Sequence, residues 1–85
     1  MVELEWTEGA LKDLEKFDKP IARRILRIIT WLSKNFQRVI PEPLVGELKG
    51  TFKLPIGDWR AVYTIEGNTI VIEFIGHRRE IYRTK

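Results

Sequence analysis

The side chains with chemistry to offer gather in the second half of the chain: Lys49, Lys53, Trp59, Arg60, His77, Arg78, Arg79, Tyr82, Arg83 and Lys85. They bring guanidinium, ammonium, imidazole and phenol groups, with no glycine-rich phosphate loop and no nucleophile elbow around them. Cysteine is absent and His77 is the only histidine in 85 residues, which excludes thiol chemistry and a zinc cage of His and Cys. No metal and no cofactor is expected. The set suits phosphodiester cleavage in RNA. Attack by a 2′-hydroxyl needs a base at that oxygen, positive charge around the developing phosphorane and an acid at the leaving 5′-oxygen. Arginine meets phosphate oxygens bidentately, and an aromatic ring holds a splayed base by stacking. Taken singly, each residue also has an ordinary reading: Arg60 as the ion-pair partner of Asp58 or Glu73, His77 as a loop residue, Trp59 and Tyr82 as core aromatics with a wet edge.

The elements that must position these groups follow from periodicity. Val2–Trp6 alternates with period two and reads as a strand. Thr7 stands as an N-cap for a short amphipathic helix over Glu8–Phe17, with Glu8 complementing the helix dipole. Asp18 and Pro20 start a second helix, in which Ile21, Ile25, Ile28 and Leu32 form one apolar row and Ala22, Leu26 and Ile29 the next. Pro41, Pro43 and Gly46 mark the stretch between Phe36 and Lys49 as a loop. Strands are expected over Thr51–Leu54, Trp59–Glu66 and Thr69–Ile75, the last two joined by a tight turn at Gly67-Asn68, and a short extended piece over about Glu80–Arg83. Alternation sends Ile70, Ile72 and Phe74 to the core and Glu73 away from it. It puts Arg60 with Val62 and Thr64 on the face opposite Trp59, Ala61 and Tyr63. The order β-α-α-β-β-β describes one α+β domain over residues 1–85, a helical hairpin on one face of a small antiparallel-rich sheet whose other face is free.

Size and charge narrow the class further. A chain this short buries only about 60% of its unfolded surface, so without staples the fold rests on its aliphatic side chains and nine aromatics. No apolar run nears the roughly 20 residues of a membrane span, and Met1–Trp6 lacks a basic leader region; a soluble, cytoplasmic protein with no membrane partner is the expectation. The net charge is only +3, but residues 1–20 carry six acidic and three basic groups while residues 21–40 carry five basic and none acidic. On a helix, Arg23, Arg27 and Lys34 share an outer face with Trp31, which reads either as a solvated face or as one that meets a partner or RNA.

The segments LKGTFKLPIGDWRAVYTI (Leu48–Ile65) and IVIEFIGHRREIYR (Ile70–Arg83) closely resemble the RelE/ParE superfamily of toxins, in its RelE-like branch, and the resemblance extends over nearly the whole chain. It implies the RelE-like fold and a metal-independent ribonuclease that cleaves mRNA in the ribosomal A site, in contact with ribosomal RNA, and is held inactive by a cognate antitoxin protein. By position, Lys53, Arg60, Arg78 and Tyr82 match the family's catalytic set, and His77 stands where relatives carry a basic residue or a histidine. Arg60 and Arg78 are then expected to handle transition-state charge and leaving-group protonation, with Lys53, His77 or Tyr82 as base or stacking group. Lys49, Arg79, Arg83 and Lys85 fall to RNA binding, and Arg23, Arg27 and Trp31 to the antitoxin. Pro55 departs from the family, which often has a second basic residue there; it removes a cation and a ladder donor, so that strand must be an edge at Pro55 or end early. ParE-like members, which act on DNA gyrase, and a non-catalytic antitoxin-binding module are the alternatives.

Overall fold

The computed structural model describes residues 2–83, the last three by their backbone only. Its elements are β1 (Glu3–Trp6), α1 (Glu8–Glu15), α2 (Lys19–Lys34), β2 (Glu42–Pro43), β3 (Phe52–Ile56), β4 (Trp59–Glu66), β5 (Thr69–His77) and α3 (Arg78–Arg83), with single 3₁₀ turns at Phe36–Arg38 and Gly46–Leu48. The five strands form one sheet in the order β1-β5-β4-β3-β2, in which β1 runs parallel to β5 and every other pair is antiparallel. The α+β architecture and the β-α-α-β-β-β order are those expected. Two differences affect the site: the loop after α2 contributes a two-residue edge strand, and the end of the chain over Glu80–Arg83 is helical rather than extended.

Thr7 fixes the passage from β1 into α1. Its hydroxyl oxygen accepts the Ala10 N–H at 3.0 Å and donates to the Glu73 carbonyl at 2.8 Å, so one side chain caps a helix and ties it to β5. In α2 the buried stripe is Ile25, Ile29 and Leu32. Leu26 belongs instead to the outer surface, where it is 41% exposed, because it sits about 100° round the helix from Ile25. These helices cover Ala61, Tyr63, Ile70, Ile72 and Ile75 of the sheet.

The alternation along β5 breaks at one place. Tyr63 pairs with Ile72 but Val62 pairs with Phe74, so Glu73 is an extra residue, a β-bulge. The bulge exchanges the faces: Ile70, Ile72 and then Ile75 point to the helices, while Phe74 goes to the opposite side and packs with Val62, Leu44 and Leu48. Phe74 is therefore not part of the helix-side core. The face opposite the helices is correspondingly not free along its whole length, since the loop after β2 lays Leu44 and Leu48 across part of it.

Both sheet edges are guarded. The Leu44 N–H reaches the Thr51 carbonyl, so by strand parity residues 41 and 43 direct their backbone outward, and both are prolines without an N–H. The same parity turns Pro55 outward, and β2 covers only Phe52 and Lys53 of β3, so the strand is an edge at Pro55, as its proline demands. On the other side β1 stops at Trp6. The Ile75 N–H beyond it is taken by the Asp13 carboxylate at 2.9 Å, and the His77 N–H by the Glu80 carboxylate at 3.2 Å.

Candidate nucleic-acid interface on the open sheet face

Register decides which cations share a face. Lys53 lies opposite Val62, and Pro55 opposite Arg60, which itself lies opposite Gly76. Lys53 and Arg60 are diagonal neighbours on the face away from the helices, about 7–8 Å apart at their backbone by ordinary strand geometry. Gly76 puts no side chain across from Arg60, and Pro55 puts no charge there.

Arg60 is held in place by its own turn. Its Nη1 donates to the Gly57 carbonyl at 2.9 Å and to the Trp59 carbonyl at 2.8 Å. Its Nε is buried and has no partner among the described residues. Neither suggested carboxylate pairs with it: Glu73 accepts from the Thr64 hydroxyl at 2.9 Å, and Asp58 forms no ion pair among the described residues. A guanidinium immobilised by neutral carbonyls keeps its charge for an incoming anion, and a phosphate would find it already oriented.

The end of β5 carries the remaining residues. His77 pairs with Trp59 across the strands, so it belongs to the helix-side face, and its ring meets the Trp59 indole edge-on at 5.3 Å between centroids. Its Nδ1 accepts the Arg79 N–H at 3.2 Å while the Glu80 carboxylate reaches back to the His77 N–H. This is a capping box with imidazole in the place of serine or threonine, and it explains why the chain turns helical here instead of staying extended. The spacing His77-x-x-Glu80 carried that signal in the sequence. The Arg78 N–H donates to the Asp58 carbonyl at 2.9 Å, fastening the start of α3 to the β3–β4 turn that also holds Arg60. Arg60 and Arg78 are thereby brought to one end of the sheet, whereas His77 faces away from Arg60. Arg78, Arg79 and Lys49 are exposed. The Tyr82 and Arg83 side chains and the whole of Lys85 lie outside the described residues.

A profile describing the ParE toxin of the type II toxin–antitoxin system parDE matches residues 4–82. The chain belongs to the RelE/ParE superfamily of type II toxins. Toxin RelG of Mycobacterium tuberculosis is 36% identical over 83 residues, covering 94% of each chain. The toxin also superposes on a chain of the RelBE2 toxin–antitoxin complex from Mycobacterium tuberculosis, with TM-score 0.79 and 32% identity over 91% of this chain and 98% of that one. It shares its fold with a chain of the YoeB–YefM complex from Staphylococcus aureus, with TM-score 0.71 and 24% identity over 92% of this chain and 98% of that one. The family and fold expected from the LKGTFKLPIGDWRAVYTI and IVIEFIGHRREIYR segments are those found.

Two further surfaces of the toxin bear on partners. On α2, Arg23, Leu26, Arg27, Trp31 and Lys34 line an exposed groove of about 530 Å³, with Trp31 51% exposed. At the outer edge of β5 a cleft of about 630 Å³ is lined by Asp13, Asp18 and Glu80 together with Phe17 and Trp59. Three carboxylates against the one ammonium of Lys16 make that cleft a poor seat for phosphate, despite its size. Among the described residues no helix is long and apolar enough to cross a membrane.

Proposed function

We propose that the toxin is a metal-independent, ribosome-dependent mRNA endonuclease, neutralised by a cognate antitoxin. The observation that carries this reading is the Arg60 guanidinium, held by two backbone carbonyls on the open sheet face with Lys53 on the same face and Arg78 anchored to the same turn. In the proposed reaction the 2′-oxygen of one nucleotide loses its proton and attacks the adjacent phosphorus. The bond to the 5′-oxygen breaks, leaving a 2′,3′-cyclic phosphate on one fragment and a 5′-hydroxyl on the other. Arg60 and Arg78 neutralise the phosphorane and supply the leaving oxygen's proton. Lys53, reacting as the neutral amine, takes up the 2′-proton, and Tyr82 stacks on a base or assists it. With its Nδ1 occupied and its ring against Trp59, His77 is assigned to holding α3 rather than to the reacting atoms. Exposed Lys49 and Arg79, with Arg83 and Lys85, contribute attraction for the RNA backbone.

The test is mRNA cleavage in a translation extract by wild type, Arg60→Ala and Arg78→Ala. Loss of about 10²–10³ in rate for each variant is expected, by analogy with removal of one donor from an oxyanion site. Equal activity in all three would discard the proposed site. Gyrase poisoning in a supercoiling assay, without mRNA cleavage, would instead favour a ParE-like action.

An antitoxin partner is supported by the two solved structures above, both of toxin–antitoxin complexes. The α2 groove suits it: cations without a single carboxylate between residues 21 and 40, around exposed Leu26 and Trp31, fit an acidic segment with apolar anchors.

A further inference from the structure

A third arginine reaches the β3–β4 turn, from the helical layer. Gly57 has φ +62°, and a Cβ built on it would lie 3.3 Å from Arg24 Nη1 and 3.4 Å from Arg24 Nη2. The Arg24 guanidinium therefore rests on Gly57, the residue whose carbonyl Arg60 holds from the sheet side. Asp58 is the only carboxylate in this turn, and no ion pair or hydrogen bond ties it to Arg24 among the described residues. A notch of about 220 Å³ lies beneath, between Arg24, Asp58 and Trp59. Two guanidiniums thus converge on one turn from opposite layers, with Arg78 fastened beside them by its backbone, and no ion pair among the described residues ties Arg24 or Arg60 to a carboxylate. Like charges held close together without a counter-ion repel, and an external anion relieves the repulsion.

We propose that Arg24 binds a backbone phosphate of single-stranded RNA next to the one held at Arg60, so that the strand crosses the end of the sheet over Gly57-Asp58 and continues onto α2. This inference rests on the endonuclease reading for the identity of the anion, and it makes Arg24 a positioning residue, since it touches no reacting atom. Gly57 matters to it in its own right. At φ +62° the backbone favours glycine, and a Cβ there would press on the Arg24 guanidinium by a few tenths of an ångström.

The experiment titrates salt against binding of a short 2′-O-methyl oligoribonucleotide, which lacks the attacking hydroxyl, to wild type, Arg24→Ala and Arg24→Lys. One lost phosphate contact should make the slope of log K against log salt shallower by about 0.7 in Arg24→Ala, with the slope restored in Arg24→Lys. A merely structural role for Arg24 would move the melting temperature and leave the slope alone. Wild-type mRNA cleavage is measured alongside. If wild type does not cleave but the slope changes as stated, the endonuclease reading fails and the phosphate site stands. If wild type cleaves and Arg24→Ala keeps the wild-type slope, the site is overturned and the reading survives. An unchanged slope together with weakened antitoxin binding would give the turn to a protein partner and overturn the site as well.

Discussion

Arg60 is kept in an unfavourable setting. Its Nη1 is satisfied by two carbonyls, but its buried Nε has no partner among the described residues, a situation that typically costs about 1–3 kcal/mol. Arg60→Met keeps the apolar stem and discards the buried donor, so stability should change by less than about 1 kcal/mol in denaturant melts while cleavage falls steeply. A large loss of stability in Arg60→Met would recast Arg60 as a structural clamp of its turn. Tyr63 represents the opposite case, a polar side chain committed to the core. It is 1% exposed, and burial, with Glu42 adding, raises its phenol above the ordinary value of 10.0. The folded state then binds the phenolic proton more tightly than the unfolded chain. Stability from this group is full below about pH 10 and is lost as pH climbs from there through the raised value. Tyr63→Phe removes the titrating group, so its alkaline melting curve should fall less steeply with pH than that of wild type.

At the scale of elements, Thr7 joins three of them. It ends β1, caps α1 and donates to the bulge carbonyl on β5, so Thr7→Ala removes a cap and an interlayer hydrogen bond together. A destabilisation of about 1–2 kcal/mol is expected in thermal or urea melts, with Thr7→Ser recovering most of it. The Thr7 cap, the bounds of β4 and the turn at Gly67 were legible in the sequence because each rests on local chemistry. Gly67 alone supplies the positive φ, at +60°, and Asn68 does not share it. The bulge at Glu73 was not legible, because period-two alternation carries no mark of an inserted residue. That single residue is why Phe74 and His77 lie on the faces opposite to those that unbroken alternation gives them. The β2 edge strand escaped notice for another reason: two prolines argue against a strand, yet at an outer edge they cost no ladder bond and discourage pairing with other chains. The helix α3 had a readable capping box at His77 and Glu80, obscured because imidazole is an unusual cap.

Across the whole molecule, charge is sorted by surface. The Arg23, Arg27 and Lys34 face of α2 is cationic, Lys53 and Arg60 share a sheet face on which Glu42 lies across from Lys53, and the β5-edge cleft sets Asp13, Asp18 and Glu80 against Lys16. A net charge of +3 conceals this division. On the proposed function, this division would favour approach of an anionic strand to the sheet face and α2 over the β5 edge. The same field governs the proposed antitoxin. An acidic segment approaching α2 is steered by Arg23 and Arg27, then retained by burial of Leu26 and Trp31, so the two contributions separate kinetically. Reversing charge in Arg23→Glu with Arg27→Glu should slow association at least about tenfold at low salt, with the difference shrinking as salt rises toward 0.5 M. Trp31→Ala should chiefly speed dissociation, at all salt concentrations, because it removes apolar burial rather than charge. Surface-plasmon or stopped-flow measurements of the toxin with its antitoxin read both rates. Equal rates for wild type and the charge-reversed variant would place the antitoxin elsewhere on the molecule, leaving the α2 cations to RNA alone.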